Sequence, residues 1–140
     1  MNNPEPSDGL ELSIQAASVA FCGRMADNPA YIRGSRTIYG LALEAHANVV
    51  ARLGKQETPS SRMISTTFML GFYEGIISTE SGGYLRHVEG AARMVELLGP
   101  DGCRDDSVNG LFFTARTQMV STVYVKEETL AHIYSYSFLY

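Results

Sequence analysis

The chain has 140 residues, a mass of 15.3 kDa and a formal net charge of −4, which limits it to one domain or part of one. Its 11 Lys and Arg residues are scattered among 15 Asp and Glu residues. They do not form the basic face with which DNA-binding proteins neutralise roughly 6–10 phosphates, so we expect no direct binding of nucleic acid. The hydrophobic fraction of 45% is typical of a globular protein and too high for a disordered one.

The cysteines, the N-terminal residues and the apolar segments exclude further classes of protein. Cys22 and Cys103 lie far apart in sequence, which predicts reduced thiols and neither a disulfide framework nor a metal or cofactor site. Residues 1–7 have neither the basic start nor the apolar run of a secretory signal. The two most apolar windows carry Glu74 and Arg116 near their centres, and neither is clearly longer than the roughly 17–25 residues of a membrane helix. We therefore expect no membrane-spanning segment.

The first half of the chain predicts two helices after a flexible lead-in at residues 1–7. Asp8 followed by Glu11 is a capping-box pattern that begins the first helix. A second helix is expected from about residue 30 to 53, although Gly34 leaves open whether it is two shorter helices. The apolar stripe expected on the first helix is Leu10, Ile14, Ala17, Phe21 and Met25.

The second half predicts three more helices. The segment from about residue 61 to 79 carries two adjacent apolar stripes and should be the most buried helix. The fourth runs from about 84 to 98 and ends at Gly99-Pro100, a glycine cap followed by a helix breaker. A fifth begins near residue 107. The expected fold is an all-α array of about five to six antiparallel helices packed as hairpins, with residues 8–125 forming part of a larger helical domain and 126–140 an uncertain tail.

No catalytic motif accompanies these helices. The hydrolase elbow, the phosphate loop and the dinucleotide turn do not occur, and His87 begins only half of a zinc deaminase signature. We therefore predict that the chain is not an enzyme. Glu74 stands among apolar residues and needs a partner, since burying a lone carboxylate costs several kcal/mol. Arg116, Arg86 and His87 are candidates for a structural ion pair, and a ligand contact is the alternative.

Four segments, in this order, resemble the fungal-specific transcription factor domain that follows a DNA-binding binuclear zinc cluster. They are YGLALEAHANVVARL (39–53), TTFMLGFYEGI (66–76), LRHVEGAARMVELLGP (85–100) and GLFFTARTQMVST (110–122). The third segment is the most specific, and the resemblance covers about residues 10 to 125. The positions that match the family pattern are Tyr39, Ala42, Leu43, Tyr73, Glu74, His87, Gly90, Ala91, Ala92, Gly99, Pro100, Phe112, Phe113 and Arg116.

The resemblance implies a non-catalytic regulatory segment of a nuclear transcription regulator. It implies protein partners or self-association, and a small-molecule effector is possible within the family. Zinc would belong only to a separate six-cysteine module, which this chain lacks. The matched positions are expected to be structural, with Gly90 allowing close helix packing. Two alternatives are a stand-alone interaction module that competes with full-length regulators and, more remotely, a small ligand-binding protein or enzyme.

Overall fold

The computed structural model describes residues 8–55, 57–102, 104, 110 and 117, and these residues form four α-helices and no strand. The predicted all-α class is confirmed. The predicted count of five to six helices differs from the observed four, because the expected fifth helix lies outside the described residues except for Gly110 and Thr117, both helical. Arg116 and the tail at 126–140 also lie outside them. The helices are α1 (Gly9–Met25), α2 (Pro29–Arg52), α3 (Ser61–Ile77) and α4 (Gly83–Gly102).

Side-chain caps begin the first three helices. The Asp8 carboxylate accepts a hydrogen bond from the backbone N–H of Leu10, and Asn28 accepts from two N–H groups at the start of α2. Ser60 accepts from the backbone N–H of Met63 at 3.2 Å. Caps of this kind stabilise a helix by about 1 kcal/mol each, so residues outside the helices set where the helices begin.

The second helix is continuous through its weak glycine region. Ser35, next to Gly34, is fully buried, and its hydroxyl donates to the carbonyl of Ile32 at 2.8 Å. The same hydroxyl lies 3.1 Å from the hydroxyl of Tyr73 on α3. The tertiary contact stabilises helical backbone at this point, and α2 is one helix of 24 residues.

Two antiparallel hairpins, α1–α2 and α3–α4, pack side by side. Gly9 lies beside Ala45 at one end of the first hairpin, and Gly23 lies beside Ile32 at the other. The guanidinium of Arg24 donates to the carbonyl of Ile76 at 3.3 Å, which joins the C-terminal ends of the parallel helices α1 and α3. Helix α3 is central, since it packs on all three other helices, while the backbones of α2 and α4 do not approach each other.

The hydrophobic core has two parts, and α3 contributes to both. The part shared with α4 is built from Ile64, Phe68, Ala91 and Val95. Helix α3 has ten buried residues out of 17, in agreement with the prediction that the third helix is the most buried. The part between α1, α2 and α3 contains Ala16, Ala20, Tyr39, Ala42, Leu70, Tyr73 and Ile77.

Only part of the apolar stripe predicted on α1 faces the core. The buried side of α1 is lined by small residues, among them Ala16 and Ala20, because α2 approaches it closely. The larger side chains of the stripe remain outside: Ile14 is 45% exposed, Phe21 54% and Met25 74%.

The end of α4 agrees with the predicted stop. Gly99 adopts φ 68° and ψ 179°, which interrupts the regular helix immediately before Pro100. A glycine tolerates this left-handed φ without steric cost. One further turn follows the kink and ends at Gly102. No helix in the described part of the chain has the length and apolar character required to cross a bilayer.

Gly34→Ala is expected to raise the free energy of unfolding by about 0.5–1 kcal/mol, since glycine disfavours a helix interior by that amount. A Cβ added at Gly34 meets no atom within 4 Å, so the substitution introduces no clash. Urea denaturation of both proteins measures the change. A decrease in stability would show that α2 is not helical at this position.

Candidate functional site

Four residues of the family pattern meet at one place in the fold, although they are distant in sequence. Tyr39 comes from α2, Tyr73 and Glu74 from α3, and His87 from α4. The rings of Tyr39 and Tyr73 stack with centroids 4.1 Å apart and an interplanar angle of 13°. The ring of His87 meets that of Tyr39 edge-on at 6.4 Å and 83°. We name this group the Tyr39–Glu74–His87 cluster.

The carboxylate of Glu74 lies at the centre of the cluster and is only 2% exposed. It accepts hydrogen bonds from the Thr79 backbone N–H at 2.9 Å and from the Thr79 hydroxyl, and the Tyr39 hydroxyl lies near enough to help lower its pKa. Burial by itself raises the pKa of Glu74, but these hydrogen bonds outweigh it and hold the pKa below its ordinary value. Glu74 is therefore a buried anion at neutral pH, stabilised by hydrogen-bond donors.

His87 is joined to Tyr39 by a hydrogen bond of 3.0 Å between its Nε2 and the Tyr39 hydroxyl, and either atom can be the donor. Burial lowers the pKa of His87, although the Glu74 carboxylate acts in the opposite sense. His87 is therefore mainly neutral at pH 7.

Both tyrosines stay protonated in this environment. Burial, reinforced by the nearby Glu74 carboxylate, raises the pKa of Tyr39 far above its ordinary value. Burial also raises the pKa of Tyr73, against the effect of its hydrogen bond with Ser35. Because Ser35 donates its own proton to the carbonyl of Ile32, Tyr73 donates to Ser35. Neither phenol is poised to act as a base or a nucleophile.

Among the described residues, Glu74 forms no ion pair with an arginine. Of the candidates named from the sequence, Arg86 pairs with Glu80 on the surface, and His87 bonds to Tyr39. Arg116 lies outside the described residues. Thr79, which the sequence reasoning missed, supplies two hydrogen-bond donors to the carboxylate. No sequence signal pointed to it, since its position depends on how the chain turns after α3.

Two glycines, neither of them Gly90, allow α3 and α4 to meet closely at the cluster. A Cβ at Gly83 would lie 2.9 Å from the Glu74 carboxyl carbon, and one at Gly71 would lie 3.1 Å from the Cβ of His87. A Cβ at Gly90 would be 3.7 Å from Thr67, an ordinary van der Waals contact. The tightest contacts between α3 and α4 are therefore at Gly71 and Gly83, and Gly90 lies at an ordinary contact between the same two helices. Gly99 and Pro100 lie at the kink of α4, outside the cluster.

The cluster joins helices through polar groups that bond to one another or to nearby backbone. Tyr73 is fully buried, and each polar group of the cluster named above has a hydrogen-bond partner. Within the described residues, no three His, Cys, Asp or Glu side chains are grouped so as to hold a metal ion. A cavity of about 90 Å³ lies elsewhere, between the N-terminal ends of α1 and α3 and the C-terminal half of α2, and Asp8 pairs with Arg62 in its lining.

Comparison with known proteins gives one fungal match. The chain is 21% identical over 119 residues to an uncharacterised protein of Emericella nidulans, AN5342, a match that covers 85% of this chain and 25% of the relative. The chain thus spans about a quarter of the relative's length. No protein-family model matches the chain. No solved structure matches it either.

Glu74→Gln and Thr79→Val are each expected to destabilise the protein by about 1.5–3 kcal/mol, the usual loss for a hydrogen bond to a buried charged group. Glu80→Gln is the matched control. It removes a carboxylate from an exposed ion pair with Arg86, whose contribution is at most about 1 kcal/mol. Urea denaturation at neutral pH compares the three variants. Equal losses for Glu74→Gln and Glu80→Gln would contradict the central role of the buried carboxylate.

Proposed function

We propose that this chain is a helical regulatory segment of a fungal zinc-cluster transcription regulator, which acts by packing and restraint and not by catalysis. The observation that carries the proposal is the meeting of Tyr39, Tyr73, Glu74 and His87 in one cluster. These positions were identified from the family pattern, and they join α2, α3 and α4 with hydrogen bonds and stacked rings. A site whose polar groups are used for joining helices is suited to restraint.

The match to the fungal relative supports the proposal that this chain is a segment of a longer protein. The matched region is 25% of that relative, so a helical body of this kind would be one part of a larger chain. In the proposed role, the zinc-cluster module that binds DNA lies in another part, and this segment binds neither zinc nor DNA. Nuclear localisation and response to a small effector follow from the resemblance and belong to the same proposal.

The surface of α1 favours a role in protein association. Ile14, Phe21 and Met25 are spaced by seven and four residues, so they lie on one face of the helix, and all three are exposed. Exposed apolar side chains in a stripe are typical of a surface that binds another protein. The regulatory segment is therefore proposed to self-associate or to bind a protein partner through this face, which we name the α1 stripe. The same stripe would serve a stand-alone interaction module, the alternative function.

Full-length sequencing of the encoding messenger RNA distinguishes the two functions. We expect the message to encode, upstream and in frame, six closely spaced cysteines in a basic segment. A message that starts at Met1 and stops after Tyr140 would contradict the regulator proposal. The protein would then be a stand-alone module whose function depends on a partner.

The α1 stripe is expected to drive self-association of the purified chain. Phe21→Glu places a charge on the stripe and should shift the protein towards the monomer in sedimentation velocity measured over a concentration series. Leu41→Glu is the matched control, because Leu41 is 51% exposed on α2 and lies outside the stripe. A wild-type monomer with a sharp melting transition that does not depend on concentration would contradict this prediction.

A further inference from the structure

A groove separates α2 from α4 above the middle of α3. The backbones of α2 and α4 do not approach each other, whereas α3 packs on both. Thr67 of α3 forms the floor of the groove, since its hydroxyl oxygen lies 2.9 Å from Nε2 of His46 on α2 and 3.5 Å from the sulfur of Met94 on α4. At one end of the groove, the hydrogen bond between Tyr39 and His87 connects the two helices.

Apolar side chains line both walls of the groove. On α2, Tyr39 and His46 mark the side of the helix that faces α4. Leu43 and Val50 recur on that side at helical spacing. On α4, Met94 faces α2, and two leucines lie one turn further on the same side. We define the α2–α4 groove by its walls and floor, which are Leu43, Val50, Met94, Leu97, Leu98 and Thr67.

The walls of the α2–α4 groove remain partly exposed. The side chain of Leu97 is 51% exposed, and those of Leu43 and Val50 are each 37% exposed. Met94 and Leu98 are only partly buried. An apolar groove between two helices is a typical binding site for the apolar face of a third, amphipathic helix.

The chain itself contains a segment with the required pattern. Gly110 and Thr117 are helical and exposed, and their separation of seven residues places them on one face of a helix. An amphipathic helix with one face in solvent buries the opposite face. In the predicted fifth helix that opposite face is apolar and consists of Val108, Phe112, Ala115 and Met119.

The direction of the chain favours the α2–α4 groove over the other exposed surfaces. Helices α2 and α4 run in the same direction, because each is the second helix of an antiparallel hairpin and α1 is parallel to α3. The regular part of α4 ends at Gly99, near the N-terminal end of α3. A helix that turns back from there is antiparallel to both walls of the groove, the usual arrangement of helices joined by short loops. Beside α1 the same helix would run parallel to its neighbour.

The apolar face of the segment also has the length of the groove. Val108 and Met119 are eleven residues apart, about 16 Å along a helix. His87 and Leu98, at the two ends of the α4 wall, are also eleven residues apart. The segment can therefore cover the groove from one end to the other.

We propose that the α2–α4 groove is the docking site of residues 107–122 of this chain, which pack there as a fifth helix antiparallel to α2 and α4. The apolar face of this helix covers the exposed side chains of the walls, and Gly110 and Thr117 stay on the outside. Docking also shields the hydrogen bond between Tyr39 and His87. This inference goes beyond the proposed function, because it concerns the packing of the chain and holds equally for a regulatory segment and for a stand-alone module.

Paramagnetic relaxation enhancement in the full chain locates the segment. Cys22 and Cys103 are replaced by serine, and a nitroxide is attached to the cysteine of an Ala47→Cys variant, at an exposed position between Leu43 and Val50 along α2. The control label is attached through Ser18→Cys, at an exposed position of α1.

We expect the label at position 47 to broaden the amide signals of residues 107–122 strongly and the label at position 18 to broaden them less. An equal or reversed effect of the two labels would overturn the proposal. A labelled chain mixed with an isotope-enriched, unlabelled chain reports contacts between copies. Broadening of residues 107–122 as strong in this mixture as within one chain would place a second copy in the groove and would also overturn the proposal.

Leu97→Glu tests the groove by a second measurement, the hydrogen exchange of the amides in residues 107–122. Exchange should become about tenfold faster, the factor that corresponds to the lost burial of one large apolar side chain. Phe72→Glu is the matched control, because Phe72 is 53% exposed and lies five residues from Thr67, on a different side of α3. The amides of α3 should keep their protection in both variants. Equal exchange of residues 107–122 in the two variants would contradict docking in the groove.

Discussion

The buried carboxylate of Glu74 is the constraint on which the joining of three helices depends. An anion this far from water must be surrounded by donors, and Thr79 in the turn after α3 supplies two of them. Thr79 fixes the direction in which the chain leaves α3, and the Tyr39 hydroxyl of α2 lies near the same carboxylate. His87 attaches α4 to that tyrosine. Elements that are far apart in sequence thus meet around one ionised group.

Small residues make this arrangement possible. Gly83 leaves room for the Glu74 carboxyl group, and Gly71 leaves room for His87, so α3 and α4 approach closely where their polar groups meet. The alanines of α1 and α2 serve the same purpose on the other side of α3. Close backbone approach leaves little buried volume for large side chains on α1, which explains why its larger apolar residues lie on the outside.

The inside and the outside of the molecule therefore differ in what they contribute. The inside contains a satisfied polar cluster that fixes geometry and offers no open reactive group. The outside contains the α1 stripe, through which we propose that the chain binds another protein. The proposed regulatory role would use both properties, since restraint would be received at a surface and transmitted through a rigid body.

The sequence by itself determined the helical class, the N-cap of α1 at Asp8 and the end of the regular part of α4 at Gly99. These depend on apolar spacing and on local backbone preferences, which act over a few residues. The sequence also pointed to the cluster residues, through the family pattern, but it did not find Thr79 as a partner of Glu74 or show which of the apolar residues on α1 are buried.

Only the tertiary structure decided those points, because they depend on neighbours from distant segments. Thr79 becomes a partner of Glu74 only when the chain turns after α3, and Ser35 stabilises the middle of α2 only when Tyr73 lies beside it. The side of α1 that is buried depends on how closely α2 approaches. Periodicity shows which residues share a helix face, but the packing of other helices decides which face is covered.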